Sequence, residues 1–325
     1  MRTRRLGKTD YQVSEIGLGC WQLGGDFGEV TDADSTEILK TATGFGVTFW
    51  DTADVYGAGL SESRIGAARH KPRGLHVATK VGRSGELFPD KYTKAGMRRS
   101  LEGSATRLGV ARLDLAQLHC VPRALLADGA VFDWMDEFKR DGLVAHWGAS
   151  VETVEEGLLC LGHTGLSTLQ IIFNIFRQDA VEKLLPLAAE ADVGIIVRLP
   201  LASGLLSGKF SADHVFAKED HRHYNRDGQA FNVGETFAGL PFAEGVRLAD
   251  KAKRMLPDDQ PLAESALRWI LDHEQVSTII AGVTKPYQLA QNVGAANLPP
   301  LGPERHAALS AFYRNEVRPL VRGGI

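Results

Sequence analysis

Cysteine is scarce in this chain: three in 325 residues, Cys20, Cys120 and Cys160, never in a CxxC pair. Thiols so few and so scattered exclude a disulfide framework and a thiolate metal cluster, and they read as free thiols. Long apolar runs are missing as well. No stretch approaches the roughly 18 residues that a membrane span requires, and the basic start Met1-Arg2-Thr3-Arg4-Arg5 lacks the apolar segment of a secretory signal. Nor is there an excess of charge of one sign. With 37 Lys and Arg against 40 Asp and Glu, a net charge of -3, the chain has no surplus of cations to hold a polyanion, so nucleic acid is not an expected partner. No linker rich in Gly, Ser or Pro interrupts it. What remains is a soluble cytoplasmic globular protein, 44% apolar and 24% charged, with the composition of an ordinary enzyme and ample material for a core.

Along the chain one theme repeats, an amphipathic helical pattern followed by a short apolar segment, which is the signature of βα units around a parallel sheet. Eight strand candidates are legible, at residues 15–18, 47–51, 76–80, 113–119, 145–150, 168–173, 194–200 and 278–281. Helical candidates lie between them at 32–44, 94–108, 153–161, 180–191, 260–271 and 286–295. Several have legible ends. Thr31 and Asp34 offer oxygen acceptors to a first turn, Gly44 and Gly109 suit a C-terminal stop, and Pro286 suits a first helical position. Eight such units close into a (β/α)8 TIM barrel more readily than they form an open sheet, so residues 1–325 read as one α/β domain. Gly7 and Asp10 suggest an N-terminal hairpin. Extra helices are expected at 241–255 and 303–317, and a long polar segment at 211–240 carries His214, His221, Arg222, His223 and Tyr224. Such a segment reads as a lid or as disorder. His221 and His223 have no further ligand at suitable spacing, so no metal is expected.

Chemistry gathers at the strand ends. In Phe49-Trp50-Asp51-Thr52-Ala53-Asp54-Val55-Tyr56-Gly57 an apolar run stops at a carboxylate, and a phenol follows five residues later. Lys80 closes Val77-Ala78-Thr79-Lys80, and His119 closes Leu115-Ala116-Gln117-Leu118-His119. An ionisable residue closing a barrel strand reads as catalytic, because barrel active sites form at that face. Each residue singly also has a structural reading: Asp51 as a helix cap, Asp51 and Lys80 as an ion pair, His119 as an interior histidine, Tyr56 as packing. Gly17 and Gly19 do not make a dinucleotide fingerprint, since the third glycine of G-x-G-x-x-G would fall on Gln22. They suit close approach of backbone to a ligand or a neighbouring strand.

This constellation resembles the aldo-keto reductase family, as do Gly59-Leu60-Ser61-Glu62, residues 101–109, Pro200-Leu201-Ala202-Ser203-Gly204-Leu205-Leu206-Ser207-Gly208-Lys209 and residues 282–292. The resemblance runs from about Gly7 to Asn297. It implies a TIM barrel that binds NADP(H) extended, without a Rossmann fold. It also gives each of the four residues a role. Tyr56 is the acid that protonates the developing alkoxide, and Lys80 is the cation that draws its pKa down. Asp51 fixes Lys80 and keeps it charged, while His119 donates a hydrogen bond to the carbonyl oxygen. Members that reduce carbon-carbon double bonds carry a glutamate where this chain has His119, which implies carbonyl reduction or alcohol oxidation here.

The same resemblance implies a cofactor site. Gly19, Trp21 and Asp51 border it, and Ser150 and Gln170 clamp the nicotinamide carboxamide, although Val151 stands where the family usually has asparagine. Arg198 replaces a tyrosine that stacks on the nicotinamide, and a guanidinium there is expected to repel the oxidised ring and favour the reduced cofactor. Leu201, Ser203, Gly204 and Lys209 belong to a pyrophosphate loop, which has the wrong glycine spacing for a Walker A motif, and Arg222 closes over it. Gly282, Thr284, Lys285, Gln288, Gln291 and Asn292 hold the adenosine half, with Thr284 and Lys285 suited to a 2'-phosphate. NADPH is therefore favoured, with NADH left open. Trp21, Tyr56, His119 and Phe88 are expected to line an aromatic substrate pocket. The leading function is reduction of an aldehyde or ketone. An NAD(P)-dependent sugar or alcohol dehydrogenase is the alternative, and a cofactor-binding regulatory subunit like the potassium-channel β subunits is a third. The small-molecule substrate itself is not written in the sequence, nor is the oligomeric state.

Overall fold

The computed structural model describes residues 1–25, 27–28, 30–68 and 71–325. The chain begins with an antiparallel hairpin of β1 (Thr3–Arg5) and β2 (Gln12–Ser14). Eight strands then alternate with helices: β3 (Ile16–Gly19), β4 (Phe49–Asp51), β5 (His76–Val81), β6 (Leu113–His119), β7 (Val144–Ser150), β8 (Thr168–Ile172), β9 (Gly194–Arg198) and β10 (Val276–Gly282). All their pairings are parallel, in the order β10-β3-β4-β5-β6-β7-β8-β9, and β9 returns to β10 to close the barrel. The α/β class, the barrel and the hairpin expected from the sequence are all present.

The helices are α1 (Asp32–Gly44), α2 (Leu60–Ala67), α3 (Lys94–Leu108), α4 (Arg123–Asp128), α5 (Ala130–Arg140), α6 (Val154–Leu161), α7 (Leu184–Glu190), α8 (His221–Tyr224), α9 (Phe242–Lys253), α10 (Leu262–Leu271), α11 (Pro286–Gly294) and α12 (Pro303–Phe312). Their starts follow the capping chemistry. The Thr31 hydroxyl accepts from the Asp34 N–H before α1, and Thr93 accepts from Gly96 before α3. Thr153 and Glu156 form a reciprocal capping box before α6. A single helix over 180–191 does not form. Pro186 is tolerated only in a first turn, so α7 starts at Leu184 and a separate 3-10 turn covers Asp179–Val181. Likewise β9 ends at Arg198, because Leu199 takes a left-handed φ of 50°. The extra helices are α9 and α12. Among the described residues no helix is long and apolar enough to cross a membrane.

Strand alternation sorts the side chains into two cores. Trp50, Ala116, Leu118, Trp147, Ala149 and Ile195 face outward and are buried beneath the helices. Phe49, Ala78, Leu115, Ile196 and Ile280 meet on the barrel axis and are closed from below by Leu6 and Val13 of the hairpin. One layer up, the same inward columns become polar: Phe49 gives way to Asp51, Ala78 to Lys80, Leu115 to Gln117 and then His119, and Ile196 to Arg198. The apolar floor therefore holds a polar layer at the carboxyl ends of the strands. Residues 211–240 do not behave as a loose polar lid. Phe216, Phe237 and Leu240 are buried, and Phe210, Phe216, Phe237 and Phe242 pack with ring centroids 4.9 to 6.0 Å apart.

Candidate active site

Four strand or loop positions meet at the barrel mouth. The Lys80 ammonium lies 2.5 Å from Asp51 Oδ2, donates to the Thr52 carbonyl at 2.8 Å, and reaches the Tyr56 hydroxyl at 3.2 Å. Lys80 and Asp51 are each 1% exposed. The second Asp51 oxygen accepts from the Gln117 amide at 3.1 Å and the Gln170 amide at 2.8 Å, so this buried carboxylate has a donor on both oxygens. The His119 ring stands edge-on to Tyr56 with centroids 5.9 Å apart, and Trp21 stacks on the other side of Tyr56 at 5.6 Å.

The electrostatics differ in one respect from the sequence-based expectation. Burial raises the Tyr56 phenol above its ordinary value, and the opposing pull of Lys80 does not reverse this. Burial acts to lower the Lys80 pKa, but Asp51 and then Tyr56 more than offset it, so the ammonium stays charged. The His119 imidazole is held well below its usual range by burial and then by Arg83, Lys80 and Arg198. It is neutral, and with Nδ1 buried without a partner, Nε2 is left to serve a ligand.

Beside this cluster runs a cavity of about 430 Å³, within the usual range for a small-molecule site. Tyr56 and His119 line it together with Gly19, Trp21, Asp51, Ser150, Gln170 and Arg198. It is bordered also by Leu201, Ser203, Gly204, Lys209 and Arg222, and by Gly282, Thr284, Gln288, Gln291 and Asn292. Ser150 and Gln170 are partners, hydroxyl to amide oxygen at 3.5 Å. The Ser203 hydroxyl is already engaged, accepting from the Phe237 N–H and donating to the Glu235 carbonyl, which makes it a poor phosphate donor. Arg222 pairs with Asp220 and lies over the Phe216 ring at 4.6 Å. Lys285 is not in the cavity wall; its ammonium pairs with Asp34 at the rim at 3.0 Å. The Gln288 side-chain oxygen accepts from the Thr284 and Lys285 N–H groups, leaving the first turn of α11 beside the cavity.

A model of the Aldo/keto reductase family matches residues 15–314. The chain belongs to the aldo-keto reductase family. Relatives of this chain include the uncharacterized oxidoreductase YqkF of Bacillus subtilis, 27% identical over 98% of each chain, and pyridoxal 4-dehydrogenase of Microbacterium luteolum, 27% identical over 89% of this chain and 91% of that one. Among solved structures, the glycerol dehydrogenase AKR11B4 of Gluconobacter oxydans superposes with a TM-score of 0.79 at 26% identity, covering 99% of this chain and 98% of that one. The family uses NADP(H), and the cavity of this chain offers polar side chains to such a ligand. Gln22 Oε1 and Arg198 Nε are buried at it without partners, and the Gln22 amide lies against Gly282, where a Cβ would displace it. At Gly204 the left-handed φ of 97° and the nearby Phe210 ring equally exclude a side chain.

Two expectations need correction. Phe88 is 42% exposed and does not border the cavity, so it is no part of an aromatic substrate pocket. The rings next to Trp21 are instead Phe27 at 5.0 Å, His221 at 4.9 Å and Phe231 at 6.1 Å. Arg198 is not an isolated cation either. It donates to Glu235 at 2.9 Å and to the Val151 carbonyl at 3.1 Å, which removes the basis for simple repulsion of an oxidised ring.

Sequence reasoning missed Gln117, Arg83, Glu152 and Glu235. Gln117 was detectable, since it shares the inward column of β6 with His119 two residues on. Arg83 and Glu152 follow β5 and β7 directly, where charged residues at barrel strand ends merit notice. Glu235 had no signal, arriving from the long segment. Cys120, Glu152 and Glu235 bring their ligand atoms within 4.8 Å, but both carboxylates are matched to Arg83, which makes this an ion-pair cluster.

Asp54, two residues before Tyr56, carries a testable pH signature. Its Oδ2 accepts from Ser100 at 2.7 Å, its Oδ1 has no partner, and burial, with Glu62 adding, pushes the carboxyl up to about 6. An unfolded aspartate titrates near 4. Between about pH 4 and 6 the folded protein keeps a proton that the unfolded chain releases, so this group makes stability fall as pH rises through that window. Asp54→Asn is expected to stabilise the protein on the order of 2 kcal/mol at neutral pH and not at all below about pH 4. Urea unfolding at the two pH values checks it.

Proposed function

We propose that this chain catalyses reversible hydride transfer between NADP(H) and a carbonyl-alcohol pair, with Tyr56 as the proton donor in the reducing direction. The observation that carries this reading is the single ammonium of Lys80 held between Asp51 and Tyr56, beside His119, next to a cavity that Tyr56 and His119 line. NADPH, when bound, supplies the hydride.

The chain's own residues account for the proton and the charge. Tyr56 passes its hydroxyl proton to the developing alkoxide, and the phenolate left behind is stabilised by Lys80 at hydrogen-bond distance. Asp51, held on its other oxygen by Gln117 and Gln170, keeps that ammonium charged where burial would strip its proton. Neutral His119 donates to the carbonyl oxygen as an oxyanion donor without adding a full charge to the site. Trp21 and Phe27, both in the cavity wall, exclude water from the substrate side and favour substrates with an apolar face. Ser150 and Gln170 hold the nicotinamide carboxamide, and the first turn of α11 faces the phosphate-bearing end. The protein is proposed to act as one domain, in the cytoplasm.

Lys285 and Thr284 make the preference for the 2'-phosphate testable. Lys285→Ala is expected to weaken NADPH binding about tenfold, in line with one charge-assisted contact, and to leave NADH within about twofold. Equal losses for both cofactors would remove Lys285 from 2'-phosphate recognition.

The dehydrogenase direction is supported by the names of two similar proteins, the glycerol dehydrogenase and the pyridoxal 4-dehydrogenase. A panel of aldehydes, ketones, sugars and polyols, followed by nicotinamide absorbance in both directions with NADP(H) and NAD(H), tests the proposal. Turnover of at least one carbonyl-alcohol pair is expected. Cofactor binding without any turnover across the panel would favour the regulatory reading instead.

A further inference from the structure

Four charges lie in and above the polar layer, from four separate places in the chain. Arg83 follows β5, Glu152 follows β7, Arg198 ends β9, and Glu235 belongs to the segment between β9 and α9. Glu235 is 3% exposed and accepts from both arginines, Arg83 at 2.6 Å and Arg198 at 2.9 Å. Arg83 donates also to Glu152 at 2.7 Å, and Asn232 holds the other Glu152 oxygen. In the closed strand order β5 and β9 stand four places apart, on opposite sides of the barrel. The Glu235 carboxylate therefore bridges the mouth from one side to the other.

The bridge borders the ligand site. Arg198 and Glu235 both face the cavity, alongside Ser150, Gln170 and His119. Two guanidinium groups against two carboxylates sum to zero charge, so the group of four presents no net field to whatever lies next to it. The balance is local. Removing the Glu235 charge alone leaves a buried excess of one positive charge, most of it on Arg198, whose Nε already lacks a partner.

We propose that Glu235 is a specificity-determining residue that sets the balance between oxidised and reduced cofactor by neutralising Arg198. This rests on the proposed function, in which the nicotinamide end lies by Ser150 and Gln170. The oxidised ring carries a positive charge that the reduced ring does not. With the bridge intact, Arg198 discriminates little between the two forms. With Glu235 neutral, the unmatched guanidinium repels the oxidised form, because Coulomb energies between sites several ångströms apart in a protein are on the order of 1 to 2 kcal/mol, about tenfold in binding. A residue that merely shapes the segment would change both affinities together. Only a charge acts on their ratio.

The test is the ratio of dissociation constants for NADP+ and NADPH, measured by tryptophan fluorescence on wild type, Glu235→Gln, Glu235→Asp and the double variant Glu235→Gln with Arg198→Met. The expected result is a ratio raised about tenfold in Glu235→Gln, near wild type in Glu235→Asp, and restored in the double variant, which removes both charges and guards against a single variant that fails to fold. A ratio within twofold of wild type in Glu235→Gln overturns the inference, as does a double variant that keeps the raised ratio. Wild-type protein that binds neither form overturns the proposed function and this inference with it.

Discussion

Tyr56→Phe is expected to lower kcat for carbonyl reduction on the order of 10²- to 10⁴-fold, the range over which a positioned general acid contributes. The dissociation constant for NADPH should stay within about threefold of wild type. The substitution removes one oxygen and its proton and leaves the ring, which keeps its stacking on Trp21 and its edge contact with His119. Lys80 loses a neighbour but not its anchors, since Asp51 and the Thr52 carbonyl still hold it. The loss should thus fall on the transition state, where a proton moves, and not on ground-state binding. A kcat within a few-fold of wild type would assign proton delivery to another group.

The second large effect is on stability as well as rate. Lys80→Met leaves Asp51 with no ammonium, at 1% exposure and with only amide donors remaining. Breaking a buried pair from one side costs about 3–5 kcal/mol, because a charge remains where water cannot reach it. A buried carboxylate without a cation is relieved of its charge when it is protonated. The defect should consequently shrink as pH falls and be largest at neutral pH. Adding Asp51→Asn should recover most of the lost stability and none of the activity, since neither charge then remains to tune Tyr56. Urea midpoints of the two variants at neutral and acidic pH measure this directly. Equal instability in single and double variants would mean that packing of the lysine stem dominates.

What the sequence revealed follows from which interactions are local. The start of α1 and the end of α3 were legible, because Thr31 and Gly109 act within one turn of their own position. The four residues at the barrel mouth were legible too, since each closes or directly follows an apolar run and strand alternation carries it inward. Gln117 obeys the same rule and could have been read with them. The segment 211–240 was not legible in this way. Its polar composition hid the aromatic residues Phe216 and Phe237, which seat it on α9 through contacts far apart in the chain. Glu235 depends on that seating, and no spacing between it and Arg83 could reveal a bridge across the mouth. Phe88 shows the converse limit: an aromatic in a loop after a strand end suggests a pocket, but the backbone path turns it to solvent. The raised Tyr56 pKa likewise depends on burial, which a list of neighbouring charges omits.

The most direct test of the central claim is a single turnover: wild-type protein and Tyr56→Phe, each carrying one equivalent of bound NADPH, mixed rapidly with excess nitrobenzaldehyde and followed by nicotinamide absorbance. Wild type is predicted to discharge its NADPH in one phase, while Tyr56→Phe holds the cofactor and discharges it at least 100-fold more slowly, about the least that loss of a general acid should cost. Equal rates of discharge in the two proteins would contradict the assignment of Tyr56 as the proton donor.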